Sequence, residues 1–167
     1  LIKEYGLRRK KEIYKINSVL KNFKKQAKKL IASTSAQGEK EKKQLLVRLA
    51  KYNLIKETAN PEDILDLKIE DLLERRLQTI VFKQRLARSM KQARQFIVHG
   101  HIFVNNSKNN NPSHLISILK EQHIHFDPSS QFANPEHPER KEKVIEKEVE
   151  QEKELVTPIK EHLTEIK

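Results

Sequence analysis

The sequence has no cysteine and no tryptophan, and only 3 glycines among its 167 residues. The missing cysteine excludes a disulfide scaffold, thiol catalysis, iron–sulfur clusters and cysteine-ligated zinc. No apolar run approaches the ~18 residues a membrane span needs. None looks like the apolar stretch of a signal peptide either. Apolar residues make up 36% of the chain, below the roughly 45–50% of ordinary globular proteins, so a small core is expected. Charge is abundant: 34% of residues are charged and the net charge is +11. That balance points first to nucleic acid and second to an anionic membrane surface. The length suits one medium domain or two small ones. The chain begins at Leu1 rather than Met, so a preceding piece is expected.

The charge is blocked. Residues 1–56 hold 17 Lys/Arg and 4 Asp/Glu, a net of +13. Residues 57–74 are an acidic joint of net −6, residues 75–126 a second basic block of net +8, and residues 127–167 an acidic tail of net −4. A merely solvated surface mixes the two signs. Two modules facing a polyanion are the simpler reading. The tail from about 135 is first proline-rich and then dominated by Glu and Lys, with no core stripe, and is expected to be flexible.

In the first block Ile13, Ile16, Leu20, Phe23, Ala27 and Leu30 recur at 3–4 spacing, which predicts one apolar helical stripe. Lysines such as Lys21, Lys24, Lys25, Lys28 and Lys29 fall off it. Ala32 to Gly38 is turn-rich. A second helix is expected over about 39–52, with Leu45, Leu46, Leu49 and Tyr52 as its apolar positions, paired with the first as a helical hairpin. Asn60-Pro61-Glu62-Asp63 reads as a helix start. Paired acids such as Asp63 and Asp66 lack any nucleophile or histidine nearby, so general acid–base catalysis is not expected.

Residues 75–126 carry the most information. Leu77, Ile80 and Val81 share a helical arc, and Arg75, Arg76 and Lys83 project from the opposite side. Ser89-Met90-Lys91-Gln92 reads as a capping box in which Ser89 caps and Gln92 reaches back. The helix it opens places Met90, Ala93, Phe96 and Ile97 on one arc. Gly100 is expected to end that helix in a left-handed conformation. His101 to Val104 predicts a strand, with Asn105-Asn106 in the positive-φ positions of a tight turn. Leu115 to Leu119 and His123 to Phe126 predict two more strands. The expected fold is mixed, mainly α with a small β-sheet. A basic helical domain with its acidic joint fills 1–74, a compact module of two helices then short strands fills 75–126, and the acidic tail fills 127–167.

The run from Leu73-Glu74-Arg75-Arg76-Leu77-Gln78-Thr79 through Leu86-Ala87-Arg88-Ser89 and Lys91-Gln92-Ala93-Arg94-Gln95 to His99-Gly100-His101-Ile102 and Val104-Asn105 resembles the small-subunit ribosomal protein four family. The opening Lys3-Glu4-Tyr5-Gly6-Leu7-Arg8 and Lys11-Glu12-Ile13 resemble its archaeal and eukaryotic branch. The likeness covers about residues 3–126. It implies a structural, non-enzymatic constituent of the small ribosomal subunit, hence a cytoplasmic location. The implied partners are the 5′ domain junction of small-subunit ribosomal RNA and neighbouring ribosomal proteins, with no membrane and no small-molecule substrate. Early assembly and an influence on decoding accuracy come with the family. Two departures matter. Where the family has a glycine and two basic residues after Val-Asn, this chain has Asn106, Ser107 and Lys108, so one basic contact is lost. Many bacterial relatives hold zinc through cysteines, which this chain lacks.

Arginine suits phosphate because its planar fork donates two parallel hydrogen bonds. Structured RNA is read mainly through shape, phosphate and 2′-OH. The candidate RNA-binding residues in the first block are Arg8, Arg9, Lys10, Lys11, Lys24 and Lys28. Around the first helix of the module they are Arg75, Arg76, Lys83 and Arg85. Around the second they are Arg88, Ser89, Lys91, Gln92, Arg94 and Gln95, followed by His99, His101, Asn105 and Lys108. Tyr5 and Tyr14 are the better base-stacking candidates, whereas Phe96, Phe103 and Phe126 are expected in the core. The pairs His99/His101 and His123/His125 lack a third ligand, so no metal and no cofactor is expected. Two other classes fit less well. A pre-ribosomal RNA-processing factor using the same module explains 75–126 better than the N-terminal block. An enzyme carrying the module, such as a pseudouridine synthase or a tyrosyl-tRNA synthetase, needs a catalytic domain for which this chain has no motif.

Overall fold

A computed structural model describes residues 1–33, 35–56, 58–134 and 136–138. All its regular elements lie in one compact unit, Leu1–Ala133. Most of the expected tail lies outside the described residues. The first helices are α1 (Lys10–Ile31) and α2 (Ala36–Ala50). Ile16, Leu20, Phe23, Ala27 and Leu30 are all buried on α1, at the spacing the sequence predicts. They pack with Leu45 and Leu49 of α2. Burying each such Leu, Ile or Phe side chain contributes about 1.5–3 kcal/mol. Lys28 and Lys29 sit in the last turn of α1, where the exposed carbonyls favour cations. Ser35 caps α2 by accepting from Gly38 N at 3.0 Å, so the helix starts slightly earlier than expected. Among the described residues, no helix is long and apolar enough to cross a membrane.

Two short helices follow, α3 (Asp63–Asp66) and α4 (Ile69–Glu74). The acids here act as caps: Asp63 Oδ2 accepts from Asn60 N at 2.9 Å, and Asp71 Oδ2 accepts from Lys68 N at 2.7 Å. Ile64, Leu67, Leu72 and Leu73 complete the first core, into which Tyr5 and Leu7 also fold. Tyr5 is only 8% exposed, so it is a core residue and not a stacking platform. Tyr14 is exposed.

The second core belongs to α5 (Leu77–Lys83), α6 (Met90–Val98) and a three-stranded sheet. The strands are β1 (Ile102–Val104), β2 (Ser107–Lys108) and β3 (Ile124–Phe126), in the order β2-β1-β3 and antiparallel throughout. Ser89 Oγ accepts from Gln92 N at 3.2 Å, and Gln92 Oε1 accepts from Arg88 N at 2.7 Å. The box forms, but its return bond falls one residue upstream of the cap. Gly100 takes φ +74° after α6. Asn105 and Asn106 take φ +50° and +59°, the pattern of a type I′ hairpin joining Val104 to Ser107. Ile102, Val104, Ile124 and Phe126 share the buried face, and Phe103 is only half-buried.

One strand expectation fails. Leu115 makes a single antiparallel bridge to Arg76, and Ile118–Glu121 is a helical turn, α7. The bridge is held by Leu77 N donating to His114 O at 2.8 Å and Ile116 N donating to Arg75 O at 2.9 Å. It cannot lengthen because its partner segment turns into α5 at Leu77. The architecture is therefore mainly α with a small sheet, as the pattern predicts.

Candidate nucleic-acid interface

The first residues of the chain run against the start of α6. Gly6 makes this possible. Its φ is +57°, and a β-carbon there would stand 2.7 Å from Gln78 Nε2 and 2.9 Å from Met90 Cβ. Its carbonyl accepts from Gln78 Nε2 at 3.3 Å and from Arg94 Nη1 at 3.4 Å. A groove of about 560 Å³ opens beside this contact. Arg8, Arg9, Lys11 and Lys15 line it from the N-terminal segment, Arg94 from α6, and Asn111, Ser113 and Leu115 from the loop after β2. Ile16, Val19 and Leu72 supply apolar wall, and Glu12 is the one acidic lining residue among the described residues.

Glu12 is already committed. Arg94 forks onto it, with Nη2 at 2.8 Å from Oε1 and Nη1 at 3.2 Å from Oε2. Arg76 Nη2 donates to the same Oε2 at 2.9 Å and to Ser113 Oγ at 2.9 Å. Burial pushes the Glu12 carboxyl up, but the hydrogen bond and charge of Arg94, then those of Arg76, outweigh it and hold the pKa below its ordinary value. Arg76 is held below the usual guanidinium value. Burial lowers it, Glu12 offsets only part, and the charge of Arg94 adds to the lowering. Two guanidiniums share one carboxylate, so the cluster keeps a net positive charge. Arg76 Nε and Nη1 are buried with no partner among the described residues. The groove therefore has five lining cations, a spent carboxylate and a further buried cation beneath it.

The expected site residues divide. Arg8, Arg9, Lys11 and Arg94 come together at the groove. Arg76 does not reach the surface, being 0% exposed. The helical projection that set it toward solvent fails because α5 begins only at Leu77. Arg75 is also structural, donating to Ile116 O at 3.0 Å and pairing with Glu121 at 2.8 Å. Ser89 and Gln92 serve as caps. His101 Nδ1 bonds Ser130 Oγ at 2.9 Å and its ring packs edge-on against Phe132. Burial first, then His99 and Lys108, lower the His101 pKa and favour its neutral form. Lys83 pairs with Glu74 at 3.2 Å on the surface. Arg88 is half-buried, whereas Lys91, Gln95 and His99 are exposed along α6 and its end. Lys10, Arg85, Asn105 and Lys108 are exposed too. Lys24 and Lys28 lie farther along α1, with Lys28 about 25 Å from Lys11 at helical rise.

Sequence reasoning passed over Lys15, Asn111, Ser113 and Glu12. Lys15 carried a signal, standing four residues after Lys11 on one helical face. Glu12 carried another, as the only acid between Glu4 and Glu39. Among the described residues, no group of three or more His, Asp or Glu is placed to hold a metal ion.

Residues 75–118 match the S4 domain. Over 149 residues the chain is 52% identical to Small ribosomal subunit protein uS4 of Methanococcus aeolicus, spanning 89% of this chain and 84% of that one. It is 46% identical over 144 residues to the protein of the same name from Methanococcus maripaludis strain C7, spanning 86% and 81%. It is 45% identical over 143 residues to that of Nanoarchaeum equitans, spanning 84% and 79%.

Proposed function

The chain belongs to the small ribosomal subunit protein uS4 family, and from that premise we propose that it is a structural, non-catalytic component of the small ribosomal subunit that binds small-subunit ribosomal RNA. The observation that carries this reading is the groove where the two basic blocks meet, with five cations around a carboxylate that two arginines already occupy. An RNA backbone supplies the missing negative charge as a row of phosphates. Residues 1–74 and 75–126 then act as two halves of one RNA-facing surface, with Arg8, Arg9, Lys11 and Lys15 on one side and Arg94 on the other. The RNA is read as a junction of the 5′ domain, where helices converge and a cleft between two protein elements can follow the fold of the backbone. Binding early in assembly, contacts with neighbouring ribosomal proteins, cytoplasmic residence in the subunit and an effect on decoding accuracy are the finer parts of the same reading.

The test is binding of the full chain to a 5′ domain transcript, read beside a triple variant Arg8→Ala, Arg9→Ala, Lys15→Ala. These side chains are exposed, so folding is expected to survive. Affinity is expected to fall at least a hundredfold if each loses about 1 kcal/mol or more of phosphate contact. Equal affinity of parent and variant, or no preference of the parent over an unrelated RNA of equal length, would defeat the proposal. Sedimentation separates the pre-ribosomal alternative, which expects the chain only in precursor particles.

A further inference from the structure

Arg85 occupies a position where glycine costs nothing. α5 closes with Leu86 N donating to Val81 O at 3.2 Å and Arg85 N donating to Phe82 O at 3.0 Å. This paired closure requires a left-handed residue just after the helix, and Arg85 has φ +57°. The other non-glycine residues described with positive φ are Asn53, Asn105 and Asn106. Asparagine tolerates this region because its short polar side chain bonds locally, whereas arginine sets its β-carbon against the following carbonyl with no such relief. The fold therefore carries a cost at residue 85.

Nothing within the described residues offsets that cost. The Arg85 side chain is exposed and makes no hydrogen bond, ion pair or ring contact there. The nearest acid on either side in sequence is Glu74 before it and Glu121 after it, and both are engaged, Glu74 by Lys83 and Glu121 by Arg75. A strained residue that persists without an internal partner points to a partner outside the chain. The chain around it carries no acid from 75 to 120, which selects an anion. A guanidinium meets phosphate with two parallel donors.

We propose that Arg85 is a second RNA phosphate contact, separate from the groove, for which the fold gives up stability. The inference rests on the ribosomal RNA reading above and adds a geometric demand to it. Arg76, in the buried Glu12 cluster beneath the groove, precedes α5, and Arg85 follows it. Seven residues of helix, about 10 Å, lie between. RNA that touches both the groove and Arg85 must reach past α5, so a single phosphate held in the groove cannot satisfy both.

The experiment compares the full chain with Arg85→Gly and Arg85→Lys, measuring the thermal midpoint and binding to a 5′ domain transcript across a salt series. Arg85→Gly is expected to raise the midpoint by about 2–4 °C as strain is relieved. It is expected to weaken binding about tenfold and to shrink the log–log salt slope by about 0.7–0.9, one phosphate's worth. Arg85→Lys keeps both charge and strain, so its midpoint and salt slope are expected to stay parental. An Arg85→Gly chain with parental affinity and slope would overturn the inference, as would one whose midpoint does not rise. Unchanged RNA affinity with impaired entry into the subunit places the anion on a protein and also overturns it. The groove triple variant separates the two readings. If it loses affinity while Arg85→Gly does not, only the Arg85 assignment falls; if the parent shows no preference for this RNA, both fall.

Discussion

Glu12 ties the N-terminal segment to the RNA-binding module through two arginines that lie 64 and 82 positions away. Its side chain is 16% exposed and that of Arg76 is 0% exposed, so this is a largely buried cluster. Removing the carboxylate leaves Arg76 buried without compensation. Glu12→Gln is therefore expected to cost about 3–5 kcal/mol, seen as a lower urea midpoint at pH 7. The pH dependence has a definite sign. The folded Glu12 pKa lies below its ordinary value of 4.5, so its stabilisation is fully present above that value. It is lost as pH falls through the depressed folded value. The stability gap between parent and Glu12→Gln should stay constant from pH 7 down to about 5 and narrow below the ordinary carboxyl range. A gap that widens on acidification would contradict the pairing. None of this was legible locally. The sequence marks Glu12 only as a lone acid among cations, and its partners are fixed by tertiary packing. For the same reason Arg76 read as a surface cation when it is the most deeply placed charge among the described residues.

At the scale of elements, the local signals that proved readable are those with a steric or periodic cause. The α1 stripe, the Ser89 cap, the left-handed Gly100 and the Asn105-Asn106 turn each follow from one rule acting over a few residues. The segment 115–119 misled because its Leu and Ile content suits a strand, yet pairing needs a partner, and 75–76 is too short to provide one. Ile116 is buried there while Ile118 and Leu119 are exposed, a pattern that alternation alone does not give. The α6 stripe supplies the sharpest stability test. Ile97 is 0% exposed and belongs to the core shared by α5, α6 and the sheet. Ile97→Ala is expected to cost about 2–5 kcal/mol through the cavity it leaves. Its intrinsic RNA affinity, measured below its unfolding range, should stay near parental because Ile97 makes no surface contact. The reverse separation is expected at Arg8 and Arg9, where binding falls and the unfolding midpoint hardly moves. Calorimetry and RNA binding on the same preparations check both halves. Arg94 belongs to neither class, since its bonds to Glu12 and Gly6 make its loss a matter of folding as well as of contact.

For the molecule as a whole, the charge blocks and the fold converge on one demand. The blocks 1–56 and 75–126 carry nets of +13 and +8, and the groove brings part of each together. Holding like charges this close raises the free energy of the folded chain unless counterions or a polyanion screen them. Two consequences follow from that one cause. Without RNA, added monovalent salt is expected to raise the unfolding midpoint, because screening relieves repulsion within the groove more than it weakens the buried Glu12 cluster. With RNA, the same salt competes with the phosphates. If about six phosphates are neutralised, affinity is expected to fall about a thousandfold between 50 and 200 mM salt. The opposite signs give the test its force, since a protein whose stability and RNA affinity both weakened with salt would be held together by surface ion pairs rather than strained by its cations. Parallel calorimetric and filter-binding titrations over that range decide it. A flat binding curve would remove electrostatic recognition as the basis of the interaction, and a midpoint that falls with salt would remove the groove as a site of stored repulsion.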